Sequence, residues 1–184
     1  MEWDDYKRQI TQALELFKFH NNILEVLKNS RKNKQTIFIA GNGGSASTAE
    51  HYATDFSKGA VKDWGNNSYR FKAISLSSHI GYITAISNDS SYEDIFKQQL
   101  TNLASKEDIA IFISASGNSP NIVKAAEHAK DLGLVVIGIT GFHGGKLKNI
   151  ADYSAHIEYP SYEVCEDIHS IFGHFLTIYL RESV

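Results

Sequence analysis

The chain has one cysteine, Cys165, among its 184 residues. An intrachain disulfide is therefore impossible, and a reducing compartment fits. There are only two prolines, Pro120 and Pro160. No low-complexity linker and no internal repeat divides the sequence, so we expect a single domain over residues 1–184. No basic surplus exists either: the formal net charge is -3. This argues against a nucleic-acid partner. The most apolar short stretch, residues 134–139, falls well below the roughly 18 residues of a membrane span. The chain opens Met1-Glu2-Trp3-Asp4-Asp5, with acids where a signal peptide carries positive charge. These absences lead us to expect a soluble cytoplasmic protein. What is present is enough for a core: hydrophobic residues make up 42% of the chain and charged residues 21%, which also excludes wholesale disorder.

Apolar residues at Trp3, Tyr6, Ile10, Ala13, Leu14 and Phe17 recur at helical spacing. The N-terminus therefore reads as an amphipathic helix. Ile23 to Leu27 continues it or starts a second one, and residues 1–31 form a helical extension. Five short, β-branched runs follow, at residues 36–40, 71–75, 109–113, 134–139 and 153–157. Helical stretches are expected at residues 45–56, 79–86, 91–103, 120–131 and 162–180. Strands that alternate with helices imply an α/β fold with a five-stranded parallel sheet covered on both faces. Ligands then bind beyond the carboxyl ends of the strands.

Two of the loops at those ends look built for phosphate. Gly41-Asn42-Gly43-Gly44-Ser45-Ala46 has three glycines in four residues. That is more than a strand-to-helix turn needs, and it lets backbone N–H groups converge on an anion at a helix N-terminus. The loop also matches the loose dinucleotide fingerprint G-x-G-x-x-A. The second strand, however, ends in Ser75-Leu76-Ser77-Ser78 and lacks the acid that holds a ribose. The second loop is Ser114-Ala115-Ser116-Gly117-Asn118-Ser119-Pro120. Ser119 is a natural helix N-cap and Pro120 suits the first helical position. Ser114 and Ser116 add hydroxyls that capping does not explain. Neither loop carries a Walker lysine. The pattern suits a small phosphorylated metabolite.

A second constellation resembles a metal site. His51 and Asp55 stand four apart on the helix after the first loop. Such a pair is a common surface feature, and it also suits metal binding or acid–base work. On the last helix Val164, Ile168, Ile171, Phe172, Phe175 and Tyr179 form an apolar stripe. Glu166, Ser170, Gly173 and Thr177 lie opposite, bordered by His174. A solvated face would explain them, but a mid-helix glycine costs about 1 kcal/mol against alanine, which points to close packing or ligand approach. Glu166 and His174 can then meet His51 and Asp55 in a set suited to zinc or another divalent metal.

The stretch from Ala40 to His51 resembles the phosphoheptose isomerases of the sugar isomerase (SIS) family. So do Thr84-Ala85-Ile86-Ser87-Asn88-Asp89, Ser114 to Ser119, and Thr140 to Leu147. The resemblance implies a SIS fold, a flavodoxin-like three-layer arrangement. It also implies a homotetramer with interfacial active sites and conversion of sedoheptulose 7-phosphate to D-glycero-D-manno-heptose 7-phosphate. It assigns Asn42, Gly43, Gly44, Ser45, Asp89, Ser114, Ser116 and Ser119 to substrate and phosphate. With it, we expect His51, Asp55, Glu166 and His174 to hold a divalent metal, zinc, with one carboxylate, Asp55 or Glu166, as the catalytic base and His174 as its acid–base partner. The sequence departs from those isomerases at Asp55, where they carry Glu, and at Glu166, where they carry Gln. Ala115 stands where they often carry a hydroxyl residue. SIS domains also serve as non-catalytic sugar-phosphate sensors or as adaptors for the replication initiator DnaA. A complete metal constellation favours the enzyme.

Overall fold

A computed structural model describes residues 1–65 and 70–183. In chain order the elements are α1 (Trp3–Leu16), β1 (Lys18–Phe19), α2 (Asn22–Lys32), β2 (Thr36–Gly41), α3 (Gly44–Thr54), β3 (Lys72–Ser75), α4 (Ile80–Asp89) and α5 (Ile95–Leu103). There follow β4 (Ile109–Ser114), α6 (Pro120–Asp131), β5 (Val135–Thr140), α7 (Gly145–Ile150), β6 (Tyr153–His156) and α8 (Tyr162–Glu182). The five expected strands form the parallel sheet, in the order β6-β5-β4-β2-β3. One strand was not expected: β1, two residues long, pairs antiparallel with β6 at the sheet edge. The six-residue α7 is the other addition.

The sheet is buried on both faces because alternate residues of its central strands face opposite layers. Ile37, Ile39, Ile109, Ile111 and Ile113 pack with Tyr52, Phe56, Phe172 and Leu176 of α3, α8 and the turn after α3. Phe38, Ala40, Ala110 and Phe112 face the other way, against Phe96, Ile122 and Ala126 of α5 and α6. The result is the expected three-layer arrangement. From β2 the chain proceeds to β3 on one side and to β4, β5 and β6 on the other. The strand order thus reverses between β2 and β4, and the crevice beyond their carboxyl ends is the favoured ligand position.

The terminal helices pack together, with Ala13, Tyr6 and Ile10 of α1 against Val164, Cys165 and Ile168 of α8. The buried side of α8 differs from the expected stripe. His169, Gly173 and Thr177 are buried, whereas Ile171 and Phe175 are 41% and 42% exposed. The reason is that α8 has two neighbours on one side, the sheet and α3, and these bury more than an alternation of apolar residues announces. Leu14, Phe17, Phe19, Ile171, Phe172 and Phe175 are left lining a wholly apolar groove of about 180 Å³ between α1 and α8. No helix among the described residues is long and apolar enough to cross a membrane.

Candidate active site

At the crevice between β2 and β4 lies a cavity of about 250 Å³. Asn42, Gly43, Gly44, Ser45, Ser114, Ser116 and Ser119 line it, as the two loops led us to expect. Gly43 caps α3 with φ at +55° and offers no side-chain acceptor. Among the described residues the N–H groups of Gly44 and Ser45 have no acceptor. They are open donors at the positive end of a helix dipole, which is what an anion requires.

The second loop bends at Gly117, whose φ is +64°. A Cβ there would sit 1.9 Å from the Gly144 carbonyl oxygen, so the close approach of the 141–147 segment requires glycine. That segment braces the loop. Gly141 donates to the Ala115 carbonyl at 2.8 Å and Leu147 to the Gly117 carbonyl at 3.0 Å. Lys146 N–H donates to Asn118 Oδ1 at 3.1 Å. Within the loop, Ser114 Oγ accepts from Gly117 N–H at 3.2 Å and lies 3.4 Å from Ser119 Oγ. Ser119 was expected to cap α6 with its side chain, but it makes no such bond. Pro120 at the first helical position has no N–H to satisfy. The Ser119 hydroxyl faces Ser114 at the cavity instead.

Asn42 is held by a network that the sequence did not announce. It donates to Asn121 Oδ1 at 2.8 Å, accepts from Asn121 Nδ2 at 2.9 Å and accepts from the Tyr92 hydroxyl at 3.1 Å. Tyr162 was also missed. It opens α8, packs on Phe142 at 4.7 Å between ring centroids, and lines the cavity. Its position just after the last strand was the available signal. Asp89, expected in the sugar site, is exposed at the end of α4, accepts from Asn88, and is not among the cavity-lining residues.

His51, Asp55 and His174 come together. One ligand atom from each lies within 4.8 Å of the others. His51 Nε2 is 3.5 Å from Asp55 Oδ2 and 3.4 Å from His174 Nε2. The imidazoles meet edge to face, with centroids 4.9 Å apart. Two imidazole nitrogens and a carboxylate oxygen converging from a solvent-accessible side suit a divalent transition metal with open positions. The helix expected through residue 56 leaves α-geometry at Thr54 and continues as a π-helical turn over Asp55–Gly59, closed by Ala60 N–H on the Asp55 carbonyl at 2.8 Å. Such turns recur at functional sites.

Glu166, the expected fourth ligand, is separated from these three. It is eight residues from His174 on one helix, about 12 Å along its axis. Its carboxylate lies against Gly44, where an added Cβ would be 2.2 Å from Oε2. It lines the phosphate-type cavity. Burial pushes its carboxyl pKa up, and the nearby charges of Glu163 and Asp167 add to this. α3 and α8 run side by side in the same direction, with Gly44 beside Glu166 and Tyr52 beside Gly173. The cavity sits at one end of this pair. The His51–Asp55–His174 group lies two turns further on.

A SIS-domain family model matches residues 5–141. The phosphoheptose isomerase of Helicobacter pylori (strain P12) is 38% identical over 171 residues, 92% of this chain and 85% of that one. A phosphoheptose isomerase structure from Francisella tularensis superposes with a TM-score of 0.80 at 26% identity, over 95% of this chain and 86% of the other. The Neisseria gonorrhoeae phosphoheptose isomerase gives 0.79 at 27% identity, over 88% and 84%.

Proposed function

The chain belongs to the SIS-domain family and, within it, to the phosphoheptose isomerases, and from that premise we propose that it interconverts sedoheptulose 7-phosphate and D-glycero-D-manno-heptose 7-phosphate. The observation that carries the reading is the pairing, along α3 and α8, of an anion cavity with a histidine–carboxylate group. A bare phosphate sensor has use for the first and none for the second.

In this reading Gly43, Gly44 and the hydroxyls of Ser45, Ser114, Ser116 and Ser119 hold the phosphate. A phosphate oxygen accepts several such donors, and charge-assisted bonds are the stronger kind. The sugar extends from there towards His51, Asp55 and His174. Aldose–ketose exchange moves one proton between adjacent carbons and another between their oxygens through an enediol. Asp55 takes the proton from C1 of the ketose and delivers it to C2. His174 moves the proton between the oxygens. With Glu166 at the other end of the helix pair, Asp55 is the carboxylate for this task. His51, Asp55 and His174 would hold a divalent metal, zinc, which would polarise the substrate carbonyl as a Lewis acid.

Residues 1–184 act as one SIS domain, with 1–31 as its helical extension. The apolar groove between α1 and α8 supports assembly: a face of this kind seeks a partner, and a second copy supplies a matching one. We take the assembly to be a homotetramer with active sites at subunit interfaces, located in the cytoplasm, where a buried free Cys165 stays reduced.

The test is incubation of the full chain with sedoheptulose 7-phosphate while NMR follows aldose formation, with added zinc and with chelator. Zinc-supported conversion that chelator abolishes is expected. Binding without conversion in either condition would replace the isomerase with a non-catalytic sugar-phosphate protein.

A further inference from the structure

Asn42 lines the phosphate-type cavity and carries an amide, a group that can present either a donor or an acceptor. Its partners decide which. Ile122 N–H can only donate, so the Asn121 atom 3.0 Å from it is Oδ1. Asn121 Nδ2 is then the end that donates to Asn42, at 2.9 Å, and the atom receiving it is Asn42 Oδ1. Asn42 Nδ2 returns a bond to Asn121 Oδ1 at 2.8 Å. The Tyr92 hydroxyl donates to the same Asn42 Oδ1 at 3.1 Å. Both acceptor positions of the Asn42 amide are therefore occupied, while one of its two N–H donors has no acceptor among the described residues.

The open Gly44 and Ser45 amides and the serine hydroxyls make the cavity a place for ligand oxygens that accept hydrogen bonds. An amide that turned its own oxygen towards such a ligand would oppose them. Asn42, so held, has only an N–H to offer. The hold comes from α6. Asn121 stands second on that helix and is 2% exposed, so its amide is shielded from water and depends on these partners. Lys124 of the same helix pairs with the buried Asp94 at 2.8 Å, and Asp94 accepts from the Ser90 hydroxyl at 3.2 Å. These contacts pin the turn Tyr92–Asp94, which carries the Tyr92 hydroxyl to Asn42. One helix thus fixes the Asn42 amide twice, directly and through that turn.

We propose that Asn121 is a positioning residue, which together with Tyr92 locks the Asn42 amide so that the cavity meets its N–H and not its oxygen. Asn121 is not among the cavity-lining residues and acts through Asn42. The inference rests on the phosphosugar reading of the cavity. It adds what orients one of the donors that the cavity presents.

The experiment is a double-mutant cycle, read by calorimetric titration of the full chain with sedoheptulose 7-phosphate. Asn42→Ala should weaken binding by about tenfold, the upper worth of one ordinary hydrogen bond. Asn121→Ala should weaken it by about fivefold when Asn42 is present, and by less than about twofold when Asn42 is already alanine and there is no amide left to orient. Tyr92→Phe changes an exposed side chain and leaves the fold alone. It should cost about threefold beside Asn42 and nothing measurable beside the alanine. A merely structural Asn121 would weaken binding equally in both backgrounds. That equality would overturn the proposal, whether seen in Asn121→Ala or, where that variant does not fold, in Tyr92→Phe. Wild-type affinity in both single variants would overturn it as well. Turnover of sedoheptulose 7-phosphate, measured separately, keeps the two readings apart. A chain that binds with this coupling but converts nothing loses the isomerase and keeps this role. A chain that does not bind sedoheptulose 7-phosphate loses both.

Discussion

Gly173 of α8 lies against the ring of Tyr52 of α3, so closely that a Cβ on Gly173 would stand 2.0 Å from Tyr52 Cε1. The tyrosine is almost wholly buried and its hydroxyl donates to the His169 carbonyl. The neighbouring residues in sequence, His174 and His51, are the two imidazoles that meet at 3.4 Å. Close contact of the two backbones therefore sets the spacing of the metal-type group. Gly173→Ala should gain up to about 1 kcal/mol of helix propensity and lose about 1–3 kcal/mol to overpacking. We expect a lower urea midpoint and reduced zinc retention, measured by denaturation and by metal analysis after dialysis. A variant as stable as the wild type with full zinc retention would show that Tyr52 can move without consequence.

His174→Ala should leave folding intact, because the side chain is exposed, and lower turnover by roughly two orders of magnitude, the usual worth of acid–base catalysis. If the proposed metal is bound, Asp55→Ala and His51→Ala should each lower metal content in the purified protein after zinc loading, since each removes one of the three groups that would hold it. Near-normal turnover in the His174 variant would remove it from the mechanism. Full zinc content in the other two would place the metal elsewhere.

Gly117→Ala tests the second loop. The added methyl meets the Gly144 carbonyl oxygen, a backbone atom that cannot rotate aside, at a residue with positive φ. The loop must shift, and Ser114, Ser116 and Ser119 shift with it. Phosphate-ester affinity should fall by about tenfold or more, as expected for loss of one or two charge-assisted bonds, while the sheet remains folded by circular dichroism. Unchanged affinity would mean that these hydroxyls do not bind phosphate.

The sheet was legible because a strand buried on both faces is an unbroken apolar run, as in Ile109 to Ile113, and because glycine clusters mark the turns that follow. The ligand loops were legible for the same reason: Gly43 and Gly117 take backbone conformations that other residues resist. β1 escaped because two residues carry no periodicity. Glu166 was misplaced for a different reason. Spacing along a helix reports the face a residue shares, whereas its partner depends on how far along the axis the neighbouring helix meets it. The exposed Ile171 and Phe175 escaped likewise, since an apolar side chain reads the same in sequence whether it faces the sheet or lies exposed. Tyr92 and Asn121 reach Asn42 across 50 and 79 residues of sequence, beyond any local pattern.

His169 gives a prediction about acid. It is fully buried between α8 and the ends of β5 and β6, and neither ring nitrogen has a hydrogen-bond partner among the described residues. Burial depresses its pKa to about 4, helped by the charge of nearby His156 and opposed by the Thr140 backbone. His156, partly buried and beside Lys148, is depressed in the same direction. In the unfolded chain His169 takes up a proton near pH 6.5. Between that value and about 4 the unfolded state holds a proton that the folded state refuses, so stability falls as the pH falls through this window and levels off below it. The loss attributable to His169 is on the order of 3 kcal/mol. Urea midpoints measured at intervals from neutral pH to about pH 4 should show this decline. His169→Leu should remove most of it and leave a smaller slope from His156. An equal decline in the variant would mean that carboxylates elsewhere in the chain govern the acid response.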